Sequence, residues 1–199
     1  ACAEFTTGYE VTCGLARLAD SYILVVESGY AETQINWYRH KQGACGSVNN
    51  LAAKTANYHL FGKLSTAGDV DGNAHTVYED TAGALQYKKY TYSTNSWSAP
   101  TQLDDDVEYC VVGVDAGNLV YVFWTRPSPD NNIYCRILTP AGWSAKYTAF
   151  SEASHPGPLS CEHRSPRSNA LGLSWALGYE LRFGIYPPAD SLFHLEKIF

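Results

Sequence analysis

The feature that most constrains the fold is a pattern that returns four times along the 199 residues, at intervals of about 50 residues. Short runs rich in Val, Ile, Tyr, Thr and Trp alternate with Gly, Asn, Asp and Pro clusters, a β pattern with few helix-period segments. Laid over one another without a gap, the stretches at Cys110 and Cys161 align Asn118 with Asn169 and Trp124 with Trp175. The stretch from Val11 matches Cys13 to Cys110 and Tyr22 to Val26 with Leu119 to Phe123. A looser copy starts near His59, with a longer first loop, and sets Gly72-Asn73 over Gly117-Asn118 and Tyr78-Glu79 over Phe123-Trp124. The second half of the unit also recurs: the residues around Trp97 resemble those around Trp143, and Arg136 returns as Arg182.

Each unit therefore runs strand, Gly/Asn turn, apolar strand, loop, amphipathic strand, Trp-Ser or its equivalent, closing strand. Four antiparallel strands per ~40–50 residues is the pattern of a β-propeller blade. A blade cannot bury its apolar side alone, so blades stack around an axis. The expectation is an all-β chain, a small β-propeller of four blades with four antiparallel strands each, forming one domain over residues 1–199. Approximate blades are 9–53, 54–105, 106–153 and 157–199. A partial propeller that closes only as a homo-oligomer is the rival. A β-sandwich comes third, because it gives no reason for in-register repeats.

With 20 acidic and 14 basic residues the net charge is −6, which argues against a nucleic-acid partner. No apolar run reaches the ~18 residues of a membrane span. Only 17% of residues are charged and 14% are aromatic, so much of the polar surface is Ser, Thr, Asn, Gly and Tyr. The chain holds no Met and starts at Ala1, as expected of a chain from which a leader was removed or of a trimmed one. Cys2, Cys13, Cys45, Cys110, Cys135 and Cys161 show no CxxC spacing, so a secreted protein with some disulfides is expected, their pairing left open.

The motif Gly117-Asn118 to Trp124, Ile133 to Arg136 and Gly142-Trp143-Ser144 resembles the blades of sugar-binding propeller lectins, the fungal fucose-binding type and its bacterial relatives in particular. The resemblance implies ligands between adjacent blades, held by an Arg, a Glu and a Trp or Tyr. Carried over by motif, the ligand-binding candidates are Arg136 and Arg182, with Lys88 as a further equivalent, Trp97 and Trp143 at the blade ends, and Glu79 beside Tyr78. The positions aligned with Glu79 are Glu27, Trp124 and Trp175, so the acid falls in two units and the Arg in two others.

An aromatic ring offers a flat apolar face to the C–H side of a sugar while Asn, Asp, Arg and Tyr bond its hydroxyls. Trp124 and Trp175, each ending an apolar strand, are expected in the core. Asp69, Asp71 and Asp80 superficially echo a calcium loop, but the Gly is misplaced and a plain hairpin turn is expected. The run Asp104-Asp105-Asp106 is expected to be a solvated linker. A metal ring of Cys13, Cys110, Cys161 and His59 is conceivable, but buried Cys as a small apolar residue is the preferred reading. No GxSxG, HExxH or phosphate-binding loop occurs, and the histidines lack metal spacing. The expected function is non-catalytic binding of glycans or glycoproteins, without cofactor. The alternatives are a glycoside hydrolase or lyase using carboxylates such as Glu27, Glu79, Asp80 and Asp115, and a protein-binding or storage propeller.

Overall fold

Alternating β-branched and aromatic residues bounded by tight turns favour hairpins, and hairpins are what the chain forms. The computed structural model describes residues 11–29, 33–41, 44–54, 60–162, 171–186 and 194–198, in four antiparallel sheets with one 3-10 turn and no α-helix among them. The first sheet holds β1 (Val11–Arg17), β2 (Ile23–Gly29), β3 (Gln34–Lys41), β4 (Ala44–Cys45) and β5 (Asn49–Ala53). The second holds β6 (Leu64–Gly68), β7 (Ala74–Glu79), β8 (Leu85–Thr91), β9 (Ser96–Trp97) and β10 (Thr101–Asp104). The third holds β11 (Tyr109–Val114), β12 (Val120–Thr125), β13 (Asn132–Thr139), β14 (Gly142–Trp143) and β15 (Tyr147–Ser151). The last holds β16 (Leu159–Cys161), β17 (Leu171–Leu177), β18 (Glu180–Tyr186) and β19 (His194–Ile198).

In the first three sheets a two-residue strand and a longer one pair with the same third strand, so the fourth position is one strand with a break. The Trp-Ser motif explains how that break is tolerated. Ser98 Oγ accepts the Lys89 amide at 3.0 Å and Ser144 Oγ accepts the Ile137 amide at 3.0 Å, replacing ladder bonds that the interrupted strand no longer supplies.

The sheets stack face to face around the inner strands. β1 runs beside β6, β6 beside β11 and β11 beside β16, while no comparable pairing brings β16 beside β1 among the described residues. Between the first two sheets lie Leu24, Val26, Ile35, Leu64 and Tyr78; between the second and third, Val77, Leu85, Val112, Val122 and Trp124; between the last two, Tyr121, Phe123, Ile133, Leu171 and Trp175. β7 and β12 are buried along their whole length, on both faces, whereas Leu15 and Ile23 of the first sheet and Leu181 and Ile185 of the last stay exposed. The inner strands approach closely: a Cβ on Gly14 would stand 2.5 Å from Thr66 Oγ1.

The first hairpins repeat one turn. Asp69 Oδ1 accepts the Asn73 amide at 2.7 Å and Asp115 Oδ1 accepts the Leu119 amide at 2.8 Å, with positive φ at Gly72 and Asn118. Asx turns of this kind favour Gly or Asn at the left-handed position. These turns correct the alignment of the units. Gly72 stands where Asn118 does, not where Gly117 does, and Leu64 pairs with Tyr78 as Cys110 pairs with Trp124. The strand opening the second unit is therefore β6, not the stretch around His59, which lies outside the described residues. Tyr78, not Glu79, occupies the place of Trp124. In a strand a slip of one residue exchanges the two faces, and Tyr78 indeed faces the first sheet while Glu79 lies beside Cys110 on the opposite face.

Asp69 is the hairpin acid expected from the sequence, its carboxylate bound by Asn73 Nδ2 at 2.8 Å and His75 Nε2 at 3.2 Å. Burial opposes its ionisation, yet the hydrogen bonds from His75 and Asn73 win and bring its pKa to about 2. Asp104 departs from expectation: it is a buried hub rather than part of a solvated linker. The expectation of disulfides is not met at the cysteines whose side chains are described. Cys13, Cys110, Cys135 and Cys161 are free thiols, with Cys110 in one inter-sheet core and Cys135 and Cys161 in the next. Cys110 and Cys161 are packed as small apolar side chains in separate cores, and with Cys13 they border one cavity of about 340 Å³ lined by residues of β1, β6, β11 and β16. Cys2 and His59 lie outside the described residues, as does the side chain of Cys45.

Burial raises the Cys110 and Cys135 thiols and takes Cys161 to about 12, so none of the three offers thiolate at neutral pH. In a background with Cys2→Ser and Cys45→Ser, titration with a disulfide reagent should therefore detect Cys13 in the native protein and the other three only after unfolding. Rapid native reaction of more than one thiol would contradict these cores.

Candidate functional site

The second and third sheets leave a groove beside the broken outer strand, and the polar side chains that face it come from both sheets. Between the second and third sheets, Asp104 at the end of β10 collects donors from the sheet beyond. Trp124 Nε1 donates at 2.7 Å, Arg126 Nε at 3.1 Å and Lys146 Nζ at 3.3 Å, and Arg126 Nη2 also binds Asp104 Oδ1 and, at 2.7 Å, Asp105. Burial disfavours the Asp104 carboxylate, but the bonds from Arg126, Asp105 and Trp124 outweigh it and hold its pKa well below the usual range. Lys146 and Arg126 also stand over the Tyr134 ring at 4.9 and 5.7 Å, within cation–π range.

The same device recurs one sheet further. Glu152 accepts Trp175 Nε1 at 2.9 Å and Arg182 Nη1 at 2.7 Å, and Arg182 Nη2 reaches Glu180 at 3.3 Å. In both interfaces a buried indole N–H, which needs a partner, is tied to an acid closing the preceding sheet. Trp124 and Trp175 are thus core residues, both fully buried, as their place at strand ends implied.

The candidates read from the sequence fall into three groups. Glu79 and Tyr78 are inside: Glu79 is paired with Lys63 at 2.9 Å, and Tyr78 is packed between the first two sheets, where burial lifts its hydroxyl to about 12. They face opposite sides of their sheet. Arg182 is engaged by two carboxylates, and Trp97 packs edge-on against Tyr90 and Trp37 at 5.4 and 6.0 Å, its indole Nε1 buried without a partner. Arg136 and Trp143 remain. They lie on one face of the third sheet, Arg136 opposite Val122 and Trp143 opposite Leu138 two residues along β13, with Trp143 edge-on to Tyr87 at 4.9 Å.

Arg136 lines a cavity of about 380 Å³ with Gln102, Leu103, Asp104, Asp105, Arg126 and Lys146. Of these, Lys146 lies where the outer strand is interrupted, between Trp143 and Tyr147. A second cavity of about 540 Å³ shares Arg126 with it and adds Asp106, Asp130, Asn131 and Asn132. The Arg136 guanidinium makes no hydrogen bond or ion pair with the described residues, and its Nε is buried. Arg126, Lys146 and Asp104 line this cavity without having been singled out as ligand-binding candidates from the sequence. Their one sequence signal was an acid closing the second and third units alike, Asp104 and Glu152, each ahead of an apolar strand ending in Trp. Among the described residues no three His, Cys, Asp or Glu side chains are grouped to hold a metal ion.

No protein-family profile matches the chain, and no curated protein does. Solved structures do. A mutant of the Aleuria aurantia lectin in complex with Fucα1-6GlcNAc superposes with a TM-score of 0.67 at 12% identity, over 98% of this chain and 64% of the lectin. SapL1 lectin in complex with α-methyl fucoside gives 0.66 at 11% identity over 94% of this chain and 63% of that one. Two enzymes follow at a TM-score of 0.55, the leech intramolecular trans-sialidase and an α-L-arabinofuranosidase of Podospora anserina, at 10% and 12% identity and over 84% and 96% of this chain, 29% and 70% of theirs. The fold is that of the fucose-binding propeller lectins, and this chain spans about three-fifths of the length of the lectins it matches.

The depressed pKa of Asp104 predicts a pH signature. Its folded value lies below the unfolded value near 3.8, so its pairing stabilises the fold above that pH and the contribution fades as pH falls through the folded value. Asp104→Asn should cost about 1–3 kcal/mol at neutral pH, with the gap to the unsubstituted protein narrowing in urea unfolding series carried down to about pH 3. A constant gap across that range would contradict a paired carboxylate at this hub.

Proposed function

We propose that the chain is a non-catalytic carbohydrate-binding protein that takes its saccharide in the cleft between the second and third sheets. The observation that carries this reading is Arg136, a guanidinium without a partner among the described residues, on the wall of a cavity of about 380 Å³. Its five donors are fixed in a planar fork and have nothing to bond within the described protein. A cavity of this size is within the range of small-ligand sites. A saccharide supplies the vicinal oxygens such a fork needs, and Gln102 and Lys146 lie within the same wall, with Trp143 further along the same sheet face, packed against Tyr87. The lectin fold supports the class of ligand; the cleft itself supports the place.

A glycosidase reading draws on the fold shared with the trans-sialidase and the arabinofuranosidase. Glycoside hydrolysis requires one carboxyl kept protonated by a raised pKa. The carboxylates bordering this cleft argue the other way, since Asp104 is held ionised by Arg126 and Asp105 is bound to the same guanidinium. We therefore place catalysis second, and release of reducing ends from oligosaccharides on incubation with the protein would restore it.

The test of the binding reading is a glycan array probed with the labelled protein and with Arg136→Ala. Hits sharing one terminal sugar should appear with the former and fade with the latter, while the thermal midpoint stays within a few degrees, because Arg136 makes no internal bond whose loss would destabilise the fold. Equal signals from both proteins would remove the cleft from consideration.

A further inference from the structure

The three interfaces between neighbouring sheets hold a single structural position in common, the residue of the third strand that faces the preceding sheet two places in from the interface aromatic. It is Lys88 between the first and second sheets, opposite Thr76; Arg136 between the second and third, opposite Val122; and Gly184 between the third and last, opposite Leu173. Their surroundings differ in one respect that chemistry makes decisive. Lys88 Nζ is spent on the Leu51 carbonyl at 2.9 Å. At Gly184 a side chain is excluded, since a Cβ would stand 2.5 Å from the Phe150 ring, and the nearby cation, Arg182, is bound by Glu152 and Glu180. Only Arg136 among the three keeps a full positive charge without a counter-charge or carbonyl.

Its cleft sharpens the imbalance. The wall carries three cations, Arg126, Arg136 and Lys146, and two carboxylates, Asp104 and Asp105. Both carboxylates are occupied by Arg126, and Asp104 by Lys146 as well. The excess charge therefore resides on Arg136, in a chain whose overall charge is −6. A neutral sugar hydroxyl can satisfy a guanidinium donor but leaves its charge uncompensated in a partly desolvated groove. A carboxylate does both, matching the planar fork with two parallel bonds.

From this we propose that the cleft between the second and third sheets selects saccharides bearing a carboxylate, uronic or sialic acids, which Arg136 binds through the carboxylate with Lys146 at its flank. The inference rests on the carbohydrate-binding reading above and narrows it to an acidic class. The cavity of about 540 Å³ that shares Arg126 is lined by Asp106 and Asp130 beside Asn131 and Asn132, so it offers room to neutral neighbouring sugars, with the acidic residue held at Arg136.

The experiment is titration calorimetry of the full chain with methyl glucuronide, methyl glucoside and methyl sialoside, with Arg136→Gln and Arg136→Lys as variants and each variant's fold checked by circular dichroism. The glucuronide and the glucoside differ only in the carboxylate, so roughly tenfold or greater preference for the acid is expected. Arg136→Gln should erase that preference, Arg136→Lys should retain part of it, and added salt should weaken the acid alone. The sialoside arm tells which acidic class fits; preference for either acid over the glucoside upholds the proposal. Glucoside binding equal to or tighter than both acids overturns the acidic class and leaves the carbohydrate reading standing. Binding of none of these, together with an empty glycan array, overturns both.

Discussion

The structure depends on sheets that are apolar on both faces. β7 and β12 bury every side chain, which an isolated antiparallel sheet cannot do, since one of its faces would meet water. Stacking is the only arrangement that removes both faces from solvent. Close approach of the inner strands follows, with Gly14 set against Thr66 because no larger residue fits. The two middle sheets are covered on each side, whereas the outward faces of the first and last keep exposed leucine and isoleucine at Leu15, Ile23, Leu181 and Ile185. Among the described residues β1 and β16 do not pair as the other neighbouring inner strands do, and the chain spans about three-fifths of the lectins whose fold it shares.

Polar chemistry enters where apolar stacking ends. The outer strand of each of the first three sheets breaks, and the Ser after each Trp in the Trp-Ser pairs of the second and third mends the hydrogen bonding with its hydroxyl. Between the second and third sheets a groove lies beside the break, and the acid that closes the strand in each of these two sheets ties the next sheet's indole. Stability and the candidate site thus share residues. Asp104 anchors Trp124, Arg126 and Lys146, and by consuming both of those cations it leaves Arg136 as the one charge facing the cavity without a partner.

Much of this was legible in the sequence. The recurrence of Asn118 to Trp124 as Asn169 to Trp175 marked the repeat, and the Gly and Asn turns marked the hairpins, because positive φ tolerates few other residues. Arg136 and Trp143 were legible as a pair, being carried by a motif on one strand and its return. Tyr78 and Glu79 were not separable: aligned by type, Glu79 matched Trp124, but strand geometry has a period of two and the alignment was one residue out. Asp104 was misjudged because a run of three aspartates has the look of a linker, and only the sheet beyond supplies the donors that pull the first of them inside.

The sequence by itself determined the local and periodic properties, that is, strands, turns, four units and an apolar second strand in each, since backbone propensity and side-chain alternation act over a few residues. Tertiary structure alone decided which cations are neutralised. Lys88, Arg136 and Arg182 look alike along the chain, but ion pairing depends on groups contributed by a different sheet. The carbonyl of Leu51 and the carboxylate of Glu152 come within reach only once the sheets are stacked, whereas Glu180 joins Arg182 from its own strand; at Arg136 no group of another sheet arrives among the described residues.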